Sequence, residues 1–147
     1  MAHELKTEIV INGTADKVWN ELMNFKSFPD WNPFIKELKV NNELKVGQKL
    51  TVLLHLQNRK PQTFKPTIKS LVPNKEFSWL GNLYFPKIFD GHHTFQLEEV
   101  DHKTKFVQKE RFSGILGFII KFIKNDTLNS FNSMNEILKQ RVESQGA

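Results

Sequence analysis

Leu5, Ile9 and Ile11 alternate with Lys6, Glu8 and Asn12 near the start of the chain, a period of two that gives a strand one dry face. Asn12-Gly13 closes that strand. Thr14 or Asp16 then supplies a cap for a helix in which Val18, Trp19, Leu22 and Met23 recur at helical spacing, ending before Phe25. The stretch FPDWNPF, residues 28–34, cannot stay regular. Pro29 and Pro33 each remove a backbone donor and push the preceding residue out of helical geometry, so Phe28, Trp31 and Phe34 are expected on a short kinked segment.

From Ile35 to Ser113 the pattern is strand after strand. Leu50, Val52, Leu54 and Leu56 alternate with Thr51, Leu53 and His55. After the turn Asn58-Arg59-Lys60-Pro61 come Phe64, Ile68 and Val72, and after Pro73-Asn74 come Phe77, Trp79, Gly81 and Leu83. Short turns between neighbours imply an antiparallel meander. From Leu116 to Val142 the period changes: Ile120, Ile123, Thr127, Phe131, Met134, Leu138 and Val142 stand three or four apart, a helix about 40 Å long. A sheet with one dry face needs a cover, and this helix is the element large enough to provide it. The expected fold is therefore α+β: a curved antiparallel sheet wrapped around a long C-terminal helix in a helix-grip, with two short N-terminal helices closing one end. No repeat or linker interrupts the chain, so residues 1–147 are expected to form one domain.

The last hairpin holds the chemistry. If Asp101-His102 form its turn, opposed positions sum to 203, so that His93 faces Glu110, Phe95 faces Gln108 and Leu97 faces Phe106 on the dry side. A histidine opposite a glutamate on a buried face has three readings: a mutually satisfied structural pair, the polar anchor of a ligand, or an oriented general acid/base. Around the pair, Phe64, Trp79, Phe95, Phe112 and Phe131 are either core or the lining of a cavity. Gly81, set opposite Pro66, thins the wall beside Trp79. Trp31 and Phe34 on the kinked segment are candidates for a mouth or lid, or else plug the end of the sheet.

Composition narrows the field. The chain has 147 residues, 39% of them hydrophobic and 13 of them phenylalanine, enough for a real core. With no cysteine there is neither disulfide nor thiolate. His92 and His93 point to opposite faces and His55 sits on the outward parity of its own strand, so no metal site is expected. The absence of a glycine-rich phosphate loop and of a nucleophile elbow leaves no cofactor and no covalent nucleophile in view. The start of the chain lacks a signal-peptide pattern and no apolar run reaches the roughly 20 residues of a membrane span, so a cytoplasmic protein is expected. The excess of five positive charges is spread along the chain. Lys105, Lys109 and Arg111 share the outer face with Lys65 and Lys69, yet without interleaved aromatics they read as a solvated face, and no nucleic-acid partner is expected. Oligomeric state is not indicated.

Several stretches together resemble the SRPBCC, or START-like, superfamily, in particular its bacterial polyketide cyclase/dehydrase-like members. VWNELMNFKSFPDWNPFIKEL (18–38) is similar to the family's first and kinked second helices, and VGQKLTV (46–52) to its next strand. LVPNKEFSWLGNL (71–83) is similar to its central hairpin, and DGHHTFQLEE with QKERFSGIL to the hairpin before the grip helix. The resemblance implies a carrier, sensor or enzyme acting on a hydrophobic small molecule between helix and sheet. Binding of a lipid, isoprenoid or aromatic polyketide-like compound is the leading expectation. A cyclase- or dehydratase-like reaction through His93 and Glu110 is the alternative, and a structural or protein-interaction module the third. A site of this kind is expected to offer roughly 300 Å³ or more.

Overall fold

A computed structural model of the protein describes residues 2–56, 58–82, 89–114 and 120–145. Strand β1 (Ala2–Ile11) leads into helix α1 (Ala15–Leu22), a 3-10 turn over Phe25–Ser27 and the short helix α2 (Phe28–Trp31). Strands β2 (Ile35–Val40), β3 (Leu50–Leu54), β4 (Gln62–Phe64), β5 (Thr67–Val72), β6 (Glu76–Asn82), β7 (Phe89–Val100) and β8 (Lys103–Gly114) follow, and helix α3 (Ile120–Gln145) ends the fold. The helix-grip arrangement is present as expected. The proposed extensions through Leu83 and Leu116 lie outside the described residues.

Five strands form one antiparallel sheet in the order β1-β8-β7-β6-β5, and β2-β3-β4 form a second. The expected continuous meander is broken at Pro66, which has no amide hydrogen to give a ladder. The two sheets are nevertheless stitched together there. Gly47 donates to the Ile68 carbonyl, Ile68 to Gln48 and Leu50 to Pro66, each at 2.9 Å. β4 and β5 thus act as two halves of one path, bent at Pro66 to follow the segment that leads into β3, and the dry surface curls.

The last hairpin has the register expected from its turn, with His93 opposite Glu110 and Val100 opposite Lys103. Asp101 and His102 take φ of 51° and 65°, the two left-handed residues a tight hairpin turn requires. In β5 the expectation for Val72 fails. Ile68 pairs with Trp79, but the register shifts before Ser70, which pairs with Ser78. That bulge inverts the parity beyond it, so Val72 is 46% exposed although the alternation from Phe64 and Ile68 would bury it.

Ile123, Thr127, Phe131, Met134, Leu138 and Val142 are buried along one stripe of α3, as the spacing of three and four demands. The stripe faces the concave sheet: the Phe131 ring lies 5.0 Å from the His93 ring and 5.3 Å from that of Phe34. At the other end of the helix Glu21 of α1, itself buried, accepts from Arg141 at 2.5 Å and from Gln145 at 2.7 Å, which ties α1 to α3.

Candidate functional site

Phe34 is delivered to the interior by a local device. The side-chain oxygen of buried Asn32 accepts from the backbone N–H of Phe34 at 3.1 Å and of Ile35 at 2.8 Å, turning the chain sharply after α2, where Pro33 bars a helix from continuing. The amide nitrogen of Asn32 reaches Met134 Sδ of α3 at 3.4 Å. Phe34 is thereby set against Phe131 at the centre of the fold.

An enclosed space lies between this segment, the sheet and α3. Phe64, Trp79 and Phe112 form its sheet wall, Phe34 its roof and Phe131 its helix side. His93 and Glu110 also face it. Seven of the eleven residues proposed from sequence therefore meet at one cavity. The other four stand behind or beside it. Phe95 packs with its ring 4.4 Å from that of His93, and Gln108 holds His93 from below. Gly81 leaves room for Phe64, since a Cβ there would stand 2.9 Å from the Phe64 ring. Trp31, a candidate lid, is turned away: its Nε1 donates to Ser27 Oγ at 2.9 Å and the Arg141 guanidinium lies 5.2 Å from its ring centre.

The free volume of this cavity is about 20 Å³, far from the expected 300 Å³ or more. The physical reason is the lining of rings, which meet tilted (Phe34–Phe131), stacked (Trp79–His93) and edge to face (His93–Phe131) and fill the grip. About 20 Å³ holds one water molecule.

A buried polar chain runs out of the cavity. Glu110 Oε1 lies 3.5 Å from His93 Nδ1, and His93 Nε2 lies 3.1 Å from Gln108 Oε1. Gln108 Nε2 donates to Asn135 Oδ1 at 2.7 Å and to the Phe131 carbonyl at 3.3 Å, and Asn135 Nδ2 donates to Thr7 Oγ1 at 3.0 Å. The Phe131 carbonyl can only accept, so it fixes which end of the Gln108 amide points to His93. The oxygen faces the imidazole, and Nε2 therefore carries a hydrogen. The Nδ1–Oε1 separation of 3.5 Å is longer than an ordinary hydrogen bond, so the two groups stand in polar contact and the geometry fixes no proton between them.

Glu110 Oε2 and Thr127 Oγ1 are both buried without a hydrogen-bond partner, and both residues line the cavity. Thr127, Leu54, Leu56 and Ile123 complete the wall. Their spacing in the sequence places them on a dry face or a helix stripe and does not mark them as site residues. Asn135 and Thr7 were missed altogether. The signal was present in both cases: Thr7 lies between Leu5 and Ile9 on the buried parity, and Asn135 stands one helical turn beyond Phe131. Among the described residues no three of His, Cys, Asp and Glu are grouped to hold a metal, and no helix is long and apolar enough to cross a membrane.

A sequence profile described as polyketide cyclase / dehydrase and lipid transport matches residues 2–143. The chain belongs to this family. No curated protein matches it in sequence. Among solved structures, the Zhui aromatase/cyclase from Streptomyces sp. R1128 is similar with TM-score 0.82 at 11% identity, over 100% of this chain and 97% of that one. Norcoclaurine synthase from Thalictrum flavum, a point mutant with a transition-state analogue, gives TM-score 0.75 at 13% identity, covering 100% and 98%. Ara h 8.0201 gives 0.75 at 12%, covering 98% and 99%. At these identities the likeness is one of fold, and the fold it supports for this polyketide cyclase/dehydrase and lipid transport family member is the helix-grip described above.

Proposed function

We propose that the protein binds an apolar or amphipathic small molecule between the sheet and α3, and that Glu110 and Thr127 hold a hydroxyl or similar donor of that molecule. The observation that carries this reading is the pair of unpartnered polar atoms in a wall that is otherwise apolar but for His93. A buried acceptor without a partner costs on the order of 1–3 kcal/mol, more for a charged group, and an apolar residue would fill the same place without that penalty. A donor brought by a ligand removes the cost. The family description, which covers both cyclase/dehydrase and lipid transport, supports the class of ligand.

Because the free space is about 20 Å³, anything larger than water must displace side chains on entry. Native mass spectrometry of gently purified protein, followed by organic extraction, tests the proposal. A stoichiometric lipophile bearing a hydroxyl is the expected result, and protein that stays empty and binds no member of a lipid and polyketide panel would overturn it.

A second reading, a cyclase- or dehydratase-like enzyme, is favoured by the contact of His93 with Glu110 at the cavity wall. Here the pair would move a proton at a carbonyl compound while the rings exclude water. The variants His93→Gln and Glu110→Gln separate the two. Loss of a positioned acid or base lowers turnover by about 10²–10⁴ with affinity kept, whereas loss of an anchor lowers affinity by about 1–3 kcal/mol.

A further inference from the structure

Leu56 belongs to two spaces at once. One side of it is part of the wall of the enclosed cavity, and the other borders an open hollow of about 360 Å³. Among the described residues it alone lines both. The hollow differs from the cavity in kind: Lys36, His55, Asn58, Ser130 and Ser133 surround it, the hydroxyl of Ser130 already given to the Asp126 carbonyl at 2.9 Å, and among the described residues no carboxylate lines it. Lys36 spends one N–H on the Asn32 carbonyl, at 3.2 Å, and keeps two.

We propose that this hollow is the mouth of the cavity and takes the anionic head, carboxylate or phosphate ester, of an amphipathic molecule whose apolar tail passes Leu56 to lie against Phe34 and Phe131. The inference rests on the ligand-binding reading above and adds the chemistry of the head group and the route of entry. Leu56 is a half-buried aliphatic side chain, so rotation about its χ angles is the least motion that joins the two spaces. Joined, about 20 and about 360 Å³ fall within the range of roughly 300–1,000 Å³ that small-molecule sites occupy. Side chains just beyond Leu56 reach α3, so Leu56 can turn while its neighbours keep their place. Asn58 Nδ2 donates to Asp126 Oδ1 at 3.4 Å, and Arg59 Nη2 stands 3.5 Å from Asp126 Oδ2. The Arg59 contact also offsets the charge of Asp126, and the Lys36 ammonium, among the described lining residues, sets the sign of the mouth. The two ends then select opposite partners, lone pairs of Glu110 within and N–H and O–H donors without.

The test is calorimetric titration with decanoate, decyl phosphate, methyl decanoate and acetate, the tailed probes kept below micelle formation. The expected result is binding of both tailed anions, weakening of about tenfold or more for the methyl ester, and none for acetate. Lys36→Gln is expected to erase the preference for the anions while leaving the ester unchanged, and Lys36→Arg to keep it. Leu56→Trp, which wedges the partition shut, is expected to weaken every tailed probe, with thermal melts confirming that each variant is folded. If anion and ester bind alike, if the preference survives in Lys36→Gln, or if Leu56→Trp binds as the parent does, the mouth is elsewhere and the cavity reading stands without it. If no tailed probe binds at all, the mouth is overturned, while the cavity reading is decided by the search for a hydroxyl-bearing lipophile described above.

Discussion

The Gln108 carboxamide oxygen lies 3.1 Å from His93 Nε2, and the same amide's nitrogen is committed to Asn135 and the Phe131 carbonyl. One glutamine thus decides the tautomer of the histidine above it. It does so because a helix carbonyl offers no alternative to accepting. Nitrogen-15 NMR of the His93 ring is expected to show a protonated Nε2 at neutral pH, and a ring protonated at Nδ1 alone would contradict the chain of bonds.

Gln108→Leu removes the centre of that chain and leaves His93 and Asn135 facing an aliphatic group. The expected loss is about 1–3 kcal/mol, a fall in melting temperature of roughly 3–10 °C for a domain of this size. Asn135→Leu costs a similar amount alone. Combined, the two are expected to cost less than their sum, because each already breaks the bond they share. Additive melts would show that the bond between them contributes nothing.

Gly81→Ala tests the wall. Its Cβ would stand 2.9 Å from Phe64 Cδ2 and 3.1 Å from Pro66 Cβ, and the proline side is backbone-locked. Phe64 must therefore yield, toward a cavity with almost no room to receive it. We expect a loss of about 1–3 kcal/mol in thermal melts and weaker ligand uptake. Adding Phe64→Leu to the same protein is expected to restore much of the stability.

The hairpin of β7 and β8 was legible because its two turn residues set a register in which Phe95, Leu97, Phe106 and Phe112 all agree on one face. Nothing comparable marks the bulge in β5. A single added residue between Ile68 and Ser70 reverses Val72, and the residue types there, Lys69 and Ser70, fit either parity. The site followed the same rule. Aromatic positions on dry strands were found, whereas the partition formed by Leu56 and the chain through Asn135 depend on how far apart the sheet and α3 stand, a tertiary quantity that periodicity does not carry. Cavity size failed for that reason too.

Glu76 sets a modest acid dependence. Its carboxylate accepts from Gln96 Nε2 at 2.9 Å, and that bond, with a second from Ser70, holds its pKa below the ordinary 4.5. A carboxyl whose folded pKa is depressed contributes stability above its unfolded value and loses it as the pH falls through the folded one. Glu76→Gln is accordingly expected to be less stable than the parent at neutral pH, by under about 1 kcal/mol because the group is half-exposed, and to converge with it below the carboxylate range. A gap in melting temperature that stays constant on acidification would show that Glu76 is not the group responsible.

Glu110→Leu sets stability against function. The substitution removes a buried carboxyl with one oxygen unpartnered and leaves His93 as a neutral imidazole still donating through Nε2 to Gln108. Lost with it is the 3.5 Å contact to Nδ1, long for a hydrogen bond, while the desolvation penalty of the carboxyl disappears. The melting temperature is therefore expected to hold or rise. Ligand affinity is expected to fall by about 1–3 kcal/mol, a factor of roughly 5–150, since the acceptor for the ligand's donor has gone. That combination marks a group kept at a cost in stability for what it binds. The opposite pair of results, a melting temperature lowered by several degrees with affinity intact, would assign His93 and Glu110 to the scaffold and remove the anchor from the proposed function.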